Sequence, residues 1–278
     1  MTRLSAGWKL AMSSFGVIKE KKELIIFPML SGISIVLVMG SFFVALFSAG
    51  VFESEPDEGT MYTPLSYLLV FAFYIINYFI IVFFNMALVH CARLYFLGEE
   101  VTVRAGIQFS LSRIGVIFSW AVFAATIGLL LRVIQENLGW IGKILIGLVG
   151  VVWSVATFFV VPVIAYENAG PIDAVKRSSS LMKEKWGESL GANFSFGLIQ
   201  FISMFVVAAV LFALGYLIHP LVGIGLAAVG CFIVFSIISA AEMIFVSAVY
   251  HNINGDLSKH FDAQLVDDLF ATKSKSMF

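Results

Sequence analysis

Few side chains in this sequence could do chemistry inside an apolar environment. Glu242 is the acid set deepest in a long uncharged stretch, ten residues before Asn252, or ~15 Å along a helix. Gln200 lies ten residues past Leu190, at a similar depth in the preceding stretch, and Asn193 is seven residues earlier on the same helical face. Asn77, Asn85 and His90 approach Arg93 from within another apolar run, and Ser239 sits one helical turn before Glu242. Two readings of this set stay open. In one, Glu242 centres a polar cavity flanked by Gln200, Asn193 and Asn85, where a carboxyl can carry a proton or coordinate a cation. In the other, a neutral Glu242 bonds a neighbouring helix through Gln or Ser. His90 is read first as a helix-end histidine and second as a ligand.

The search for an enzyme is negative. The sequence holds no HExxH, GxSxG or Walker loop, and neither a paired-carboxylate nor a histidine cluster is evident. No catalytic residue, metal site or cofactor is therefore expected. Cys91 and Cys231 fall at different depths of separate apolar runs and read as small buried hydrophobes. The acids Glu53, Glu55, Asp57 and Glu58 lack EF-hand spacing and read as a solvated loop.

The elements that must position these residues follow from composition. The 278 residues are 60% hydrophobic and 13% charged, with a mean hydropathy of +0.98. Soluble domains are about 45–50% apolar and about 25% charged, so a soluble enzyme, a disordered chain and a disulfide scaffold are excluded. Lys+Arg (17) nearly balance Asp+Glu (18), which gives no basic excess for nucleic acid. The expected fold is all-α: a polytopic membrane bundle of six transmembrane helices, arranged as three hairpins with interfacial amphipathic helices.

Runs long enough to span are Leu24–Gly50, Leu65 to about Arg93, Ile114–Leu131, Ile144–Tyr166, Leu190–His219 and Leu221–Tyr250. This divides the chain into an interfacial helix (1–23), a membrane domain (24–253) and an amphipathic tail (254–278). Residues 1–23 lack the apolar core and cleavage site of a signal peptide, so the N-terminus is expected to be retained. Fifteen of the seventeen basic residues fall in the N-terminal segment, the loops after spans two and four, and the tail. Arg132 and Lys143 are left for the other face, so the positive-inside rule predicts both termini in the cytoplasm of a cell-membrane protein.

Each pair of spans follows a short amphipathic segment. Leu4, Trp8, Met12, Phe15 and Ile18 share one face of the first. The second is Thr102–Arg113. The third begins at Pro171 and is expected to bury Ile172, Val175, Met182 and Trp186 opposite Lys176, Arg177, Lys183 and Lys185. Ala6-Gly7 with Gly16-Val17-Ile18 and Ala105-Gly106 with Gly115-Val116-Ile117 share one spacing, which points to a threefold repeat. After span six, Leu257, Phe261, Leu265 and Leu269 line one side of a tail whose polar side is acidic. That tail is expected to pack on the chain's own basic loops or on a protein partner. Pro28 and Pro162 are expected to kink spans one and four.

Four stretches carry a resemblance: Lys22-Glu23-Leu24-Ile25-Ile26-Phe27-Pro28-Met29-Leu30-Ser31-Gly32-Ile33, Phe83-Phe84-Asn85-Met86-Ala87-Leu88, Trp153 through Pro162, and Gly170 through Ser178. Together they resemble a family of bacterial and archaeal six-span integral membrane proteins, a domain of unknown function. The opening, with Gly7-Trp8, a basic run and Phe27-Pro28, is distantly similar to sulfate-permease-like membrane proteins. The Gly-Pro-x-x-Ala-x-x-x-Ser loop is similar to the membrane domain attached to some glycerophosphodiesterases. The resemblance implies class and topology and transfers no residue role. The function expected is a non-enzymatic multi-pass membrane protein that organises lipid or protein partners. The alternative is a channel or secondary transporter for a small solute or ion, with a polar site around Glu242, Gln200, Asn193, Asn85 and His90.

Overall fold

The structure, a computed structural model, describes residues 3–48, 64–136, 138–184 and 186–253. The described residues form helices and no strand: α1 (Arg3–Glu20), a 3-10 turn (Lys22–Ile25), α2 (Ile26–Ser48), α3 (Pro64–Leu97), α4 (Val103–Ser112), α5 (Ile114–Glu136), α6 (Trp140–Ala156), α7 (Val160–Tyr166), α8 (Pro171–Glu184), α9 (Trp186–Tyr216) and α10 (Pro220–Ile253). Six stretches are long and apolar enough to cross a membrane: Lys22–Ser48, Leu68–Leu97, Ile114–Gln135, Ile144–Tyr166, Phe196–Tyr216 and Pro220–His251. The protein is an all-α, multi-pass membrane bundle. The acidic segment 51–63 and the tail 254–278 lie outside the described residues.

Hydrophobicity does not separate inside from outside along the spans, because lipid tails are as apolar as Leu. Leu37, Phe201, Phe205, Leu217 and Val152 all face outward. The packed core lies instead at one end of the bundle, where Met86–Val89, Val163–Ala165 and Ile244–Tyr250 are buried together. Three short helices cap that end. Each docks on the hairpin before its own: α4 on α3, α8 on α6 and α7, and α1 on α9 and α10. The first amphipathic helix thus rests on the last hairpin, which closes the three units into a ring and supports the repeat.

Small residues make this docking close. Gly106 of α4 leaves so little room that an added Cβ would stand 2.8 Å from Cys91 Sγ, 2.7 Å from Phe27 Cζ and 2.9 Å from the Ala87 carbonyl oxygen. One turn on, Ser110 Oγ donates to the Phe83 carbonyl at 2.8 Å. In α8 the buried pair is Ala174 and Ser178, with the same four-residue step. The expected face of α8 is corrected at Ile172, which is 60% exposed. Met182 is buried and Val175 packs on the core as expected, Ala174, Ser178 and Leu181 join them, and the Trp186 side chain lies outside the described ones. Small residues allow the backbone to approach a span closely, and bulk at those positions would hold it away. In α1, Val17 and Ile18 are buried and Phe15 meets the Phe196 ring at 6.1 Å, while Met12 is exposed.

The two prolines act differently from one another. Pro28 falls in the first turn of α2, where a missing N–H removes no helical bond. Pro162 cannot bond the Phe158 carbonyl and its ring crowds it, so span four breaks over 157–159 into α6 and α7. The break frees the Phe159 N–H, which donates to Ser178 Oγ at 3.0 Å. Ser179 Oγ reaches the Ala156 carbonyl at 3.5 Å. Helix α8 therefore satisfies the backbone that the proline releases within span four. Helix α3 stops at a left-handed Gly98 (φ 76°), with Glu99 N–H donating to the Leu94 carbonyl at 2.9 Å and Gly98 N–H to Tyr95.

Candidate functional site at the capped end

The five residues singled out by type and depth are not joined into one network. Glu242 is half-buried on α10, a helix that packs on α9, α3, α1 and α2, and no described residue hydrogen-bonds or ion-pairs with it. Gln200 is half-buried on α9 and directs Nε2 at Met204 Sδ, 3.9 Å away, one turn along its own helix. Asn85 is half-buried on α3. Asn193 belongs to α9, and its side chain lies outside the described ones. No described hydrogen bond links Glu242, Gln200 and Asn85 to each other.

His90 is the member of the set that enters a polar cluster, and that cluster sits at the capped end. Its ring stacks on Phe109 of α4 with centroids 4.0 Å apart and planes 2° from parallel. Its Nδ1 is shielded from solvent and has no hydrogen-bond partner. Phe109 in turn meets the Tyr166 ring at 5.9 Å. Tyr166, at the end of α7, leans on Tyr250 (6.0 Å) and His251 (5.1 Å) of α10. The Arg93 guanidinium carbon lies 4.8 Å from the centre of the Tyr166 ring, a cation–π distance.

The ends of α3, α7 and α10 are tied through one carbonyl. Val89 O accepts from Ser247 Oγ at 3.3 Å and from the Tyr166 hydroxyl at 3.4 Å. Tyr250 donates to Glu167 Oε1 at 3.0 Å. Arg177 of α8 spans the same carboxylate, with Nε 3.0 and 3.2 Å from its two oxygens. Asn168 takes a left-handed conformation (φ 49°), which Asn tolerates better than most residues, and its Oδ1 accepts from Arg113 Nη1 at 2.8 Å. Tyr95 of α3 donates to Glu20 Oε2 of α1 at 2.8 Å. All three capping helices are thereby fastened by polar bonds to the same end of the bundle.

Arg93, Tyr166, Glu167, Tyr250 and His251 are absent from the set chosen by sequence. Their signal was positional: a polar aromatic followed by a titratable residue closes spans four and six as Tyr166-Glu167 and Tyr250-His251. His90 and Arg93 stand near the end of span two in the same manner. In the sequence Arg93 counts toward topology on charge alone. Only the convergence of three helix ends makes them neighbours.

No curated protein matches this chain. The model of a family described as of unknown function, DUF6159, matches residues 65–259, from the start of the second span through the sixth. The match begins after the opening residues that carry the expected sulfate-permease-like similarity and gives that similarity no support. With well over half of its length covered, the chain belongs to the DUF6159 family.

Proposed function

We propose that this protein is a non-enzymatic membrane protein that gathers anionic lipid around its capped end. The observation that carries this reading is the composition of the three capping helices and their junctions. Lys19, Lys22, Arg104, Lys176 and Lys183 are exposed there, beside the exposed apolar side chains Met12, Leu111 and Ile172. Exposed bases next to exposed apolar groups, on helices at the edge of a bundle, suit the headgroup layer of an anionic leaflet. Lys176 keeps its charge available, because its contact with Asp173 at 3.6 Å is fully at the surface. On this reading the capped end faces the cytoplasm of a cell membrane, in agreement with the distribution of basic residues, and the acidic tail would be held near the basic rim or a protein partner.

The test is lipid enrichment around the purified protein in vesicles mixing phosphatidylglycerol with phosphatidylcholine, read by energy transfer to labelled lipid. Enrichment of the anionic lipid is expected, with a fall of severalfold in the K19Q/K22Q/R104Q/K176Q/K183Q variant. Equal occupancy by both lipids would end this reading.

A second reading, transport of a small solute or ion, is favoured by one observation: the break in span four over 157–159. Non-helical backbone within a span is a recurring feature of carriers. It predicts solute flux in liposomes that Glu242→Gln removes or makes independent of pH. Unaltered flux in that variant would take Glu242 out of the mechanism.

A further inference from the structure

We infer that Arg93 is the centre of a site for a phosphate group, enclosed by Tyr166, His90 and the ends of α7 and α10. This deepens the lipid reading above and rests on it only for the source of the phosphate. A guanidinium at the end of a membrane helix needs a counter-charge, since desolvating an unpaired ion is costly. No described carboxylate lies within ion-pair distance of Arg93. Two carboxylates of the capped end are engaged elsewhere: Glu167 holds Arg177 and Tyr250, and Glu20 holds Tyr95. Arg113 is paired with the neutral Asn168 amide. The bonded carboxylates of the capped end, Glu167 and Glu20, are thus directed at Tyr250, Arg177 and Tyr95 and not at Arg93.

The geometry of Arg93 selects the ligand class. Its guanidinium carbon lies over the Tyr166 ring, 4.8 Å from the centre. Its Nε is shielded and makes no hydrogen bond. The side chain as a whole is only half-buried, so part of it remains accessible. A part-exposed guanidinium lying over an aromatic ring suits the two-point recognition of phosphate oxygens. A cation would be repelled by the same group. The phosphate could belong to an anionic phospholipid headgroup entering from the leaflet or to free inorganic phosphate, and the two share this chemistry.

The full-length protein in phosphatidylcholine nanodiscs decides the matter with two probes. In one arm, phosphatidylglycerol is titrated in and protein-bound lipid is counted by native mass spectrometry. In the other, inorganic phosphate is added and the melting temperature is followed. Binding in the first arm assigns a lipid headgroup, and stabilisation in the second alone assigns free phosphate. In whichever arm binds, R93Q is expected to weaken binding at least tenfold. R93K, which keeps the charge and loses the fork, is expected to weaken it severalfold while keeping the wild-type melting temperature without ligand. An R104Q/K176Q/K183Q variant is expected to keep this single tight site even as the diffuse enrichment around the rim declines. No binding in either arm, binding that R93K leaves at the wild-type level, or binding that the rim variant abolishes would each overturn the proposal. No rim enrichment around the wild-type protein, with binding at Arg93 intact, would overturn the lipid-gathering reading and leave the Arg93 site standing.

Discussion

Gly106 and Gly16 are both helical glycines in capping helices, yet their surroundings give opposite consequences for one added methyl. At Gly106 a Cβ would press on Phe27, Cys91 and the Ala87 carbonyl at 2.7–2.9 Å, and the last of these is backbone that cannot step aside. Around Gly16 nothing lies within 4 Å. Gly106→Ala is expected to destabilise the protein by about 1–3 kcal/mol, the range for overpacking. Gly16→Ala should be neutral or stabilising by up to about 1 kcal/mol, since Gly is a poor helix residue. Melting temperatures in detergent should therefore move in opposite directions, and a shared direction would refute the packing account. Tyr95 offers a second residue-scale case. Its hydroxyl bonds the Glu20 carboxylate at 2.8 Å, and hydrogen bonds to charged groups contribute about 1.5–3 kcal/mol. Tyr95→Phe should lower stability by an amount in that range, with a double-mutant cycle against Glu20→Gln showing coupling.

The broken span four is the element whose shape depends most on a partner. Pro162 interrupts the ladder, and Ser178 of α8 accepts the Phe159 N–H at 3.0 Å. Removing that hydroxyl leaves a buried donor unsatisfied, which costs about 1–3 kcal/mol. The effect is conditional on the break. In a Pro162→Ala background the helix can close, and Phe159 N–H can return to the Val155 carbonyl. Ser178→Ala should therefore cost clearly less there than in the wild type, and equal costs in the two backgrounds would show that Ser178 does not serve the break. The kink was legible in Pro162 itself. Its exact partner was not, because Ser178 lies nineteen residues away along the chain and reaches the break only through the docking of α8.

At the scale of the whole molecule, the ring of three units makes a directional claim. Helix α1 precedes α2 in the chain but packs on α9 and α10. Deleting residues 3–20 should therefore raise hydrogen exchange first in the α9–α10 hairpin, with the α4-capped part of α3 protected. Loosening confined to α2 and α3 would contradict the ring. The span count and the common end of the capping segments were legible in the sequence, since long uncharged runs and basic clusters are local features of the chain. The cyclic order was not, because it depends on contacts between the first and last elements.

The sequence by itself determined that this is an all-helical, six-span membrane protein with short amphipathic helices before each hairpin. Charge and apolar length are read directly against the bilayer, with no tertiary contact needed. It also marked Glu242, Gln200, Asn193, Asn85 and His90 as polar groups at depth. Tertiary structure decided which polar groups meet. It left Glu242, Gln200 and Asn85 without a common hydrogen bond and gathered His90, Arg93, Tyr166, Glu167 and Tyr250 at the capped end. The physical reason is that spans are apolar on every side, so sequence periodicity does not specify the inward face. Close approach of small residues such as Gly106 and Ala174 sets that face, and the polar ends of three helices then fall together.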